Sequence, residues 1–460
     1  MRARPYPRTK PSGVEWLGDV PEHWDVMRAA TLGRFSSSGI DKKWVDGETP
    51  VQMFNYLDVY RSETKALRYS EELMWTTAEP EKIREHAVRT GDILITPSSE
   101  TEDDIGHAAH VVDPPANIVY SYHLVRFRIS AKCDARFLAY SINAPSIRSY
   151  FESVCSGTTR MVLVRDDMRN ARFALPPPAE QRSIAAFLDR ETGRVDRLVA
   201  KKRELIERLK EKRTALISRT VTRGLPPAAA RAAGLPANPP LKPSGIEWLG
   251  DIPKHWEARR LKDVGTLKGG AGFPHEEQGL EDEELPFYKV GDLKASLDGR
   301  VMTKPEHTIS KETARKLRAA IIPPESIVYA KIGAALLLNR RRVTFADCCI
   351  DNNMTAYLPD KRRIRSEWAF YWLSILDFGE FMNPGAVPSF SEGYQAILPV
   401  LLPPLPEQAA IAAYLDEETA KLDALVTQVE EAVERLQEYR VALITAAVTG
   451  KIDVRNVAAA

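Results

Sequence analysis

The strongest constraint on the fold of this chain is a duplication that spans most of its length. The segment KPSGVEWLGDVPEHW at 10–24 returns as KPSGIEWLGDIPKHW at 242–256. A longer segment at 180–221 returns at 407–448, and both copies begin with Glu-Gln after a proline cluster. With 460 residues the chain is too long for one ordinary core, so the repeat predicts two copies of one folding unit.

The segments 180–221 and 407–448 are predicted to form long helices. The second copy contains no proline or glycine, and the first contains only Gly193. Each follows a proline cluster, LPPPA before Glu180 and LPPLP before Glu407, which keeps the preceding chain extended. The two glutamates then fall at helix N-termini, where a carboxylate meets the positive end of the helix dipole.

Both helices carry apolar residues at heptad spacing, which is typical of a coiled coil. In the second helix one row contains Leu415, Leu422, Val429, Leu436 and Leu443, and the adjacent row contains Leu425, Ala432, Tyr439 and Ala446. In the first helix the rows contain Leu188, Val195, Leu209 and Leu216, and Leu198 and Leu205, interrupted by Lys202 and Lys212. The interruptions favour a partner helix in the same chain over an extended coiled coil between molecules.

The charges of the two helices are complementary. Segment 180–221 has twelve basic and seven acidic residues, whereas segment 407–448 has three basic and nine acidic residues. We therefore predict that the helices pair within one molecule, antiparallel if a pseudo-twofold axis relates the two halves. Each would be about 60 Å long at about 1.5 Å per residue, with an α/β body at either end. The alternative is two surface helices that each pack only on their own domain.

The regions before the helices are predicted to be mixed α/β domains. PVQMF at 50–54 and GDILIT at 91–96 resemble PFY at 286–288 and ESIVYA at 325–330, and such runs predict strands. Segments 135–151 and 366–381 predict amphipathic helices between the strands. The predicted boundaries are 1–179 for the first domain with its opening motif, 180–222 for the first helix, 223–242 for a Pro- and Ala-rich linker, 243–406 for the second domain, 407–449 for the second helix and 450–460 for a C-terminal tail.

Composition adds a few exclusions. No apolar run approaches the roughly 20 residues that cross a bilayer, and no apolar segment follows the basic N-terminus, so we expect a cytoplasmic protein. The four cysteines have no zinc-ligand spacing and are expected to be reduced core thiols. The net charge is +1, so a DNA-binding surface would have to be local or completed by another subunit. The tryptophans of the repeated motif, Trp16, Trp24, Trp248 and Trp256, are expected to be hydrophobic anchors.

The order of these motifs resembles one protein family. KPSG[VI]EWLGD[VI]P.HW, a variable body, LPP..EQ and a long helix, with the whole unit repeated and VTGKID at 448–453, is similar to the specificity subunits of type I restriction–modification systems. The first helix ends in VTRGL instead, a departure confined to the linker. The resemblance covers essentially the whole chain.

The resemblance implies a noncatalytic role in a larger complex. Each body would be a target recognition domain that reads one half of a split, asymmetric duplex DNA site. The helices would set the half-site spacing and dock two modification subunits, which bind S-adenosylmethionine and methylate adenine. A restriction subunit would add ATP and Mg²⁺ chemistry, and this chain would bind no cofactor or metal itself. The rival hypotheses are a fused methyltransferase or restriction enzyme, and a noncatalytic scaffold for other proteins.

The lack of catalytic motifs in the sequence argues against the fused-enzyme hypothesis. The sequence has no GxxxxGK[ST] phosphate loop, and the one near match to an adenine-methyltransferase motif is Asn238-Pro239-Pro240-Leu241, with leucine in place of the aromatic residue. The acidic cluster of Glu100, Glu102, Asp103 and Asp104 beside His107 and His110 is predicted to be a solvated loop. A carboxylate that reads a cytosine amino group is the alternative kept open for it.

The candidate DNA contacts are basic residues in loops. They are Lys42, Lys43 and Arg160 in the first body, and Lys331, Arg340, Arg341 and Arg342 in the second. The three consecutive arginines are predicted to lie at an exposed hairpin tip after a strand. For each of these residues an ordinary solvated charge is the alternative. Tyr120, Tyr122 and His123 are expected to be half-buried strand residues instead of base readers.

Overall fold

The structure is a computed structural model that describes residues 4–296, 298–382 and 387–455. It consists of two compact units, and each combines segments that are distant in sequence. The first contains the described residues up to Glu204 and those from Glu430 onward, and the second is Leu205–Val429. No helix of the described residues is apolar and long enough to cross a membrane.

The first unit is built on one five-stranded and one three-stranded sheet, in the orders β4-β12-β8-β10-β6 and β11-β5-β7. Strand β6 is parallel to β10 and β11 is parallel to β5. We call Asp25–Leu175 the first body. The elements are β1 (Thr9–Pro11), β2 (Asp19–Pro21), β3 (Asp25–Arg28), α1 (Ala29–Leu32), β4 (Gly33–Ser37), β5 (Thr49–Phe54), α2 (Tyr56–Tyr60), β6 (Ala66–Arg68), β7 (Met74–Ala78), α3 (Pro80–His86), β8 (Asp92–Ile95), β9 (Ser98–Ser99), β10 (Ala108–Val112), β11 (Val119–Tyr120), β12 (Val125–Ile129), α4 (Ala135–Asn143), α5 (Pro145–Val154), β13 (Met161–Val162), α6 (Arg165–Asn170) and β14 (Arg172–Leu175).

A long helix, α7 (Pro178–Arg223), leads into the second unit, which repeats this framework. Its main sheets have the orders β18-β24-β21-β22 and β20-β19-β23, with β19 parallel to β23. We call Glu257–Leu402 the second body. The elements are α8 (Pro227–Ala232), β15 (Leu241–Pro243), β16 (Asp251–Pro253), β17 (Glu257–Arg260), β18 (Gly265–Gly269), β19 (Leu285–Tyr288), β20 (Thr308–Ile309), α9 (Lys311–Lys316), β21 (Ile327–Ala330), α10 (Ala334–Leu337), β22 (Arg341–Val343), β23 (Cys349–Ile350), β24 (Met354–Pro359), α11 (Ser366–Ser374), α12 (Glu392–Ile397), β25 (Pro399–Leu402) and α13 (Leu405–Val448).

The short segments of similar sequence in the two bodies form equivalent strands. The PVQMF and PFY runs form β5 and β19, each paired with a parallel neighbour, β11 or β23. The GDILIT and ESIVYA runs form β8 and β21. Strand β8 lies between β12 and β10, and β21 lies between the equivalent strands β24 and β22. The prediction of two mixed α/β bodies is therefore confirmed. The segment predicted as a helix at 135–151 forms two helices, α4 and α5, and the helix predicted at 366–381 is shorter and ends at Ser374 as α11.

Helices α7 and α13 pack antiparallel. In the first unit Val195 and Val199 of α7 form a buried cluster with Val433 of α13, and Asp196 Oδ1 lies 2.9 Å from Arg440 Nε. In the second unit Arg213 of α7 pairs with Asp423 of α13 at 2.9 Å. Within both units, earlier residues of one helix meet later residues of the other. The predicted intramolecular pairing is confirmed.

One predicted heptad row is wrong. Leu198, Leu205 and Leu425 are 43, 43 and 46% exposed, so they do not belong to the buried seam. In the rows starting at Leu188 and Leu415, Leu188, Val195, Leu415 and Leu422 are buried, whereas Leu209, Leu216, Val429, Leu436 and Leu443 are half-buried. The second row lies one residue further along each helix and begins at Thr192 and Thr419, whose hydroxyls donate to the carbonyls of Leu188 and Leu415. This buried row contains polar residues such as Thr192 and Thr419, so leucine spacing alone does not identify it. The leucines Leu198, Leu205 and Leu425, one position before members of this row, face outward.

The Glu-Gln motifs tie each helix to its domain through buried hydrogen bonds. Glu180 accepts hydrogen bonds from Tyr6 Oη at 2.5 Å and Trp24 Nε1 at 3.2 Å, and His23 Nε2 lies 2.9 Å away. Glu407 accepts from Trp256 Nε1 at 3.1 Å, and His255 Nε2 lies 2.7 Å from it.

The glutamines that follow these glutamates tie a second segment of each domain to the long helix. Gln181 and Gln408 each accept a backbone N–H at 2.8 Å, from Asp134 and Arg365, just before α4 and α11. The repeated His-Trp and Glu-Gln pairs are thus two halves of one anchor. Trp24 and Trp256 are fully buried, as expected, whereas Trp248 is 51% exposed.

Other predicted features differ in detail. The predicted linker contains the short helix α8. All four cysteines are unpaired; Cys348 and Cys349 are buried, but Cys133 and Cys155 are only half-buried. Part of the predicted tail, 456–460, lies outside the described residues.

Candidate nucleic-acid interface

Each body presents side chains at the same edge of its three-stranded sheet. Strands β5 and β11 are parallel and end side by side at Phe54 and Tyr120. Strands β19 and β23 end in the same way at Tyr288 and Ile350. Residues that directly follow parallel strands share one edge of the sheet, which is where ligands bind in open α/β sheets. The loops after these strands are therefore the equivalent candidate surfaces of the two bodies.

In the first body this edge is aromatic and basic. Tyr122 is 46% exposed, its ring lies 3.8 Å from that of His123, and its N–H donates to the carbonyl of Ile40. Arg160 is exposed, donates from Nε to Ser98 Oγ at 3.1 Å and lies 6.0 Å from the ring of Tyr56. We call this surface the first face: Lys42, Lys43, Asn55, Tyr56, Tyr122, His123 and Arg160.

The electrostatics of the first face favour an anionic partner. The pKa of His123 is lowered by burial and by the nearby positive charges of Lys42 and Arg160. The imidazole is therefore neutral at neutral pH, able both to donate and to accept a hydrogen bond. Lys42 and Lys43 are exposed, as predicted, and Trp44 beside them is 59% exposed. Cations interleaved with exposed rings form a surface that suits nucleic acid.

In the second body the same edge is polar and carries no exposed aromatic ring among its described loop residues. Asn352 is exposed, and Lys331 N–H donates to the carbonyl of Asn353 at 2.8 Å. The Lys331 ammonium is committed to Glu392 at 3.2 Å, and Lys289 Nζ donates to Gln278 at 3.0 Å. We call Lys289, Lys331, Asn352, Asn353 and Glu392 the second face.

The predicted arginine-rich hairpin tip is wrong. Residues 339–342 follow the short helix α10, and Arg341 lies in strand β22 with only 4% of its surface exposed. Its guanidinium donates to the carbonyls of Asn339 and Leu376 and stacks 3.8 Å from the centre of the Phe378 ring. Burial lowers its pKa to about 10. Arg341 is a structural residue and is not available to DNA.

Its two neighbours are also more enclosed than predicted. Arg342 is half-buried and donates to the carbonyls of Ala295 and Arg341, and burial lowers its pKa. Arg340 is half-buried on the turn before β22. Alternation along a strand places successive side chains on opposite sides, so a run of three arginines there could not all face solvent.

The acidic cluster near the first face is organised by internal hydrogen bonds. Asp104 accepts from Tyr60 at 2.9 Å through one oxygen, and its other oxygen lies 2.9 Å from His107 Nε2. Arg148 donates to the carbonyl of Asp103. Both oxygens of the Asp104 carboxylate are therefore engaged, while Glu100, Glu102 and Asp103 remain exposed.

The prediction that Tyr120, Tyr122 and His123 are half-buried holds for His123 alone of the three. Tyr122 is 46% exposed, and Tyr120 is fully buried where strand β11 ends. The available signal was the Ser121-Tyr122-His123 run directly after a short apolar strand, at the end equivalent to Phe54-Asn55-Tyr56.

Comparison with known proteins decides what this architecture belongs to. The family model for the type I restriction modification DNA specificity domain matches residues 21–208 and again 253–435, one match for each repeat. The chain belongs to this family. Members form the DNA-specificity component of type I restriction–modification systems, a recognition component and not the catalytic one.

Relatives support the assignment over the full length of this specificity subunit. It is 22% identical over 451 residues to the putative type I restriction enzyme MjaX specificity subunit of Methanocaldococcus jannaschii, covering 96% of both chains. It is 23% identical over 309 residues to the EcoDI specificity subunit of Escherichia coli, covering 65% of this chain and 66% of that one.

Solved structures show the same fold. One from a study of complex assembly and conformational transition of the type I R-M system has a TM-score of 0.71 at 18% identity, covering 94% of this chain and 99% of the other. The HsdS subunit from Thermoanaerobacter tengcongensis has a TM-score of 0.52 at 18% identity, covering 94 and 98%.

Proposed function

We propose that this specificity subunit reads a split, asymmetric duplex DNA site, with one half recognised by each body. The observation that carries the proposal is the pairing of one repeated framework with two different edge surfaces. The first face presents Tyr122 and Arg160, whereas the second face presents Asn352 and a Lys331–Glu392 pair. Different donors, acceptors and apolar groups select different bases, so two such faces would read two different half-sites.

Mapping of methylated adenines tests this proposal directly. Cells that express the modification system with and without this subunit are compared genome-wide, and a two-part motif should appear only with the subunit. Arg160→Ala and Asn352→Ala then assign the halves. We expect R160A to relax or weaken one half of the motif and N352A the other, by about 1–3 kcal/mol per lost base contact. A change of the same half by both variants would contradict the assignment.

We propose further that the antiparallel pair α7 and α13 sets the gap between the half-sites. The buried rows that start at Leu188 and Leu415 keep heptad register along both helices, so a whole heptad is the smallest insertion that preserves the seam. Insertion of one heptad in each helix should change the preferred gap and leave both half-sites unchanged. An unchanged gap would contradict this role.

The outward leucines are the proposed docking points for modification subunits. Leu198 and Leu425 occupy equivalent positions of the two repeated helices and are 43 and 46% exposed. Two equivalent apolar sites suit two copies of one partner. We expect Leu198→Glu and Leu425→Glu each to reduce copurification of the modification subunit from two copies to one, and the double variant to abolish it.

The implied cofactors belong to these partners. S-adenosylmethionine would be bound by the modification subunits, and ATP with Mg²⁺ by a restriction subunit where one is present. Binding of labelled S-adenosylmethionine to the isolated chain, compared with the assembled complex, tests this division. A stoichiometric site on the isolated chain would favour the fused-enzyme hypothesis.

A further inference from the structure

Lys65 and Arg300 occupy the same position in the two bodies. The carbonyl of Lys65 accepts the N–H of His110 at 2.9 Å, and Ala66 pairs with that residue in parallel register. The carbonyl of Arg300 accepts the N–H of Val343 at 2.9 Å, and Val301 forms the equivalent parallel bridge. Both side chains start from the strand edge that faces the long helices of their own unit.

The two cations have different partners. Arg300 donates to Asp416 Oδ1 of α13 at 2.7 Å, and Tyr371 donates to the same atom at 2.6 Å. Asp189 is the residue of α7 equivalent to Asp416. It is already bonded to Arg136 at 3.0 Å and to Tyr140 at 2.9 Å. In the part of the chain that the structure describes, the ammonium of Lys65 makes no ion pair or hydrogen bond.

A cleft of about 310 Å³ opens beside Lys65 between the first body, α7 and α13. It is also lined by Arg203 and Arg440, and by the acidic residues Glu63 and Asp196. Asp196 is engaged by Arg440, which also donates to the carbonyl of Glu63 at 2.9 Å. Within the described wall of the cleft, the cations Lys65, Arg203 and Arg440 outnumber the acidic residues Glu63 and Asp196, and no carboxylate forms an ion pair with the Lys65 ammonium.

Lys65 is half-buried, and an ammonium without a partner is unfavourable there, because burial removes part of the water that would otherwise solvate the charge. Burial and the positive charge of Arg440 lower the pKa of Lys65 to about 8. Arg148 of α5 adds further repulsion, and Glu63 offsets part of it. An incoming anion would supply the interaction that Asp416 supplies to Arg300.

We propose that this cleft binds a small oxyanion of the phosphate or carboxylate class, held by Lys65 with Arg203 and Arg440 at its sides. The site lies where the first body meets the helices of its own unit, so a bound anion would bridge cations of all three elements. The volume matches the lower end of small-ligand pockets. This inference does not depend on which DNA sequence is read.

Inorganic phosphate is the probe, titrated at constant ionic strength against chloride into the full chain. We expect phosphate at about ten times its dissociation constant to raise the melting temperature by about 2–5 °C. Lys65→Met should abolish this rise. Arg300→Met is the matched control, because it removes the equivalent cation of the second unit, and it should retain the rise.

A second measurement separates binding at Lys65 from a general effect on folding. At pH 8.5 phosphate binding should take up protons, detected as a dependence of calorimetric heat on buffer ionisation, because the anion favours the charged ammonium. Lys65→Arg, which is always charged, should still bind but without this proton uptake. An equal temperature rise in K65M, the absence of any rise in the wild type, or a rise lost only in R300M would overturn the proposal.

Discussion

The two bodies of the subunit share a strand order and differ at the edge that the strands present. After β5 and β11 the chain continues into Asn55-Tyr56 and Ser121-Tyr122, whereas after β19 and β23 it continues into Lys289-Val290 and Asp351-Asn352. The buried anchors at Glu180 and Glu407 are nearly the same in both units. The contrast teaches that the framework and its edge loops are under separate constraints, since a loop after a strand can change without disturbing the hydrogen bonds beneath it.

The largest expected effect tests whether the two anchors are really equivalent. Glu180→Ala leaves two buried donors, Tyr6 Oη and Trp24 Nε1, without an acceptor, and Glu407→Ala leaves only Trp256 Nε1. Each buried donor left unsatisfied costs about 1–3 kcal/mol. We expect E180A to lower the free energy of unfolding of its unit by about 2–5 kcal/mol and E407A by about 1–3 kcal/mol, measured by urea unfolding with hydrogen exchange resolved by segment. Equal losses would show that Tyr6 contributes nothing.

The ends of the two long helices offer a second comparison. Gly450 and Gly224 both have left-handed φ angles, +73° and +85°. A Cβ on Gly450 would lie 2.2 Å from Pro21 Cδ, whereas a Cβ on Gly224 has its nearest neighbour, a carbon of the Trp256 ring, at 3.7 Å. We expect Gly450→Ala to destabilise the first unit by about 2–4 kcal/mol through strain and overpacking, and Gly224→Ala to cost about 1 kcal/mol through strain alone. Thermal unfolding of both variants measures the difference.

The Lys65 and Arg300 pair predicts opposite effects of one substitution. Since the folded pKa of Lys65 is about 8 and the unfolded value is about 10.4, folding is penalised fully below pH 8, and the penalty disappears as pH rises toward 10.4. In phosphate-free buffer at pH 7, Lys65→Met should therefore stabilise the first unit by about 1–3 kcal/mol, with a smaller gain at pH 9.5.

The matched change in the second unit should go the other way. Arg300→Met removes the cationic partner of Asp416, which keeps the hydrogen bond from Tyr371, and should cost about 1 kcal/mol at pH 7. Stability curves of the two variants at several pH values check the sign of each. Stabilisation of both units would remove the distinction between a paired and an unpaired cation.

The smallest effect concerns the helices themselves. Gly193 of α7 stands where α13 has Ala420, and a Cβ there would meet only the end of the Arg197 side chain, at 3.5 Å. Alanine should therefore stabilise α7 by about 0.5–1 kcal/mol, the usual difference between glycine and alanine within a helix. Differential scanning calorimetry of Gly193→Ala measures it, and a loss of stability would indicate that the position needs the open space.

The sequence predicted the architecture well because duplication aligns distant segments without any structural knowledge. The repeated opening motif, the long helices and the echoes at β5 and β8 all identified equivalent elements. The predictions from sequence were wrong where a charged or polar residue is buried. Arg341 is a core residue because carbonyls of Asn339 and Leu376 solvate its guanidinium, and nothing in an arginine run indicates such partners.

The helix seam and the anchors show two further limits. Leu198 is exposed although the buried row next to it includes Thr192, since a threonine hydroxyl can bond to its own helix and pack inward. The Glu180 anchor joins residues that are far apart in sequence. The sequence shows that the His-Trp and Glu-Gln pairs both recur, but not that they contact each other. Positions of Lys42, Lys43 and Arg160 on an exposed surface agree with the predictions, whereas their contact with DNA stays a prediction.

The composition of the first unit has a consequence for biosynthesis. Its core contains Ile184 and Leu188 together with Ile444, Ala447 and Val448, whereas the second unit lies wholly within Leu205–Val429. A ribosome therefore finishes every residue of the second unit before it makes the last helical turns that complete the first. Until then Ile184 and Leu188 lack the part of their apolar surroundings that Ile444, Ala447 and Val448 provide. A nascent chain of this subunit should therefore depend on chaperones for its earliest part, and truncation before Ile444 should destabilise the body that was translated first.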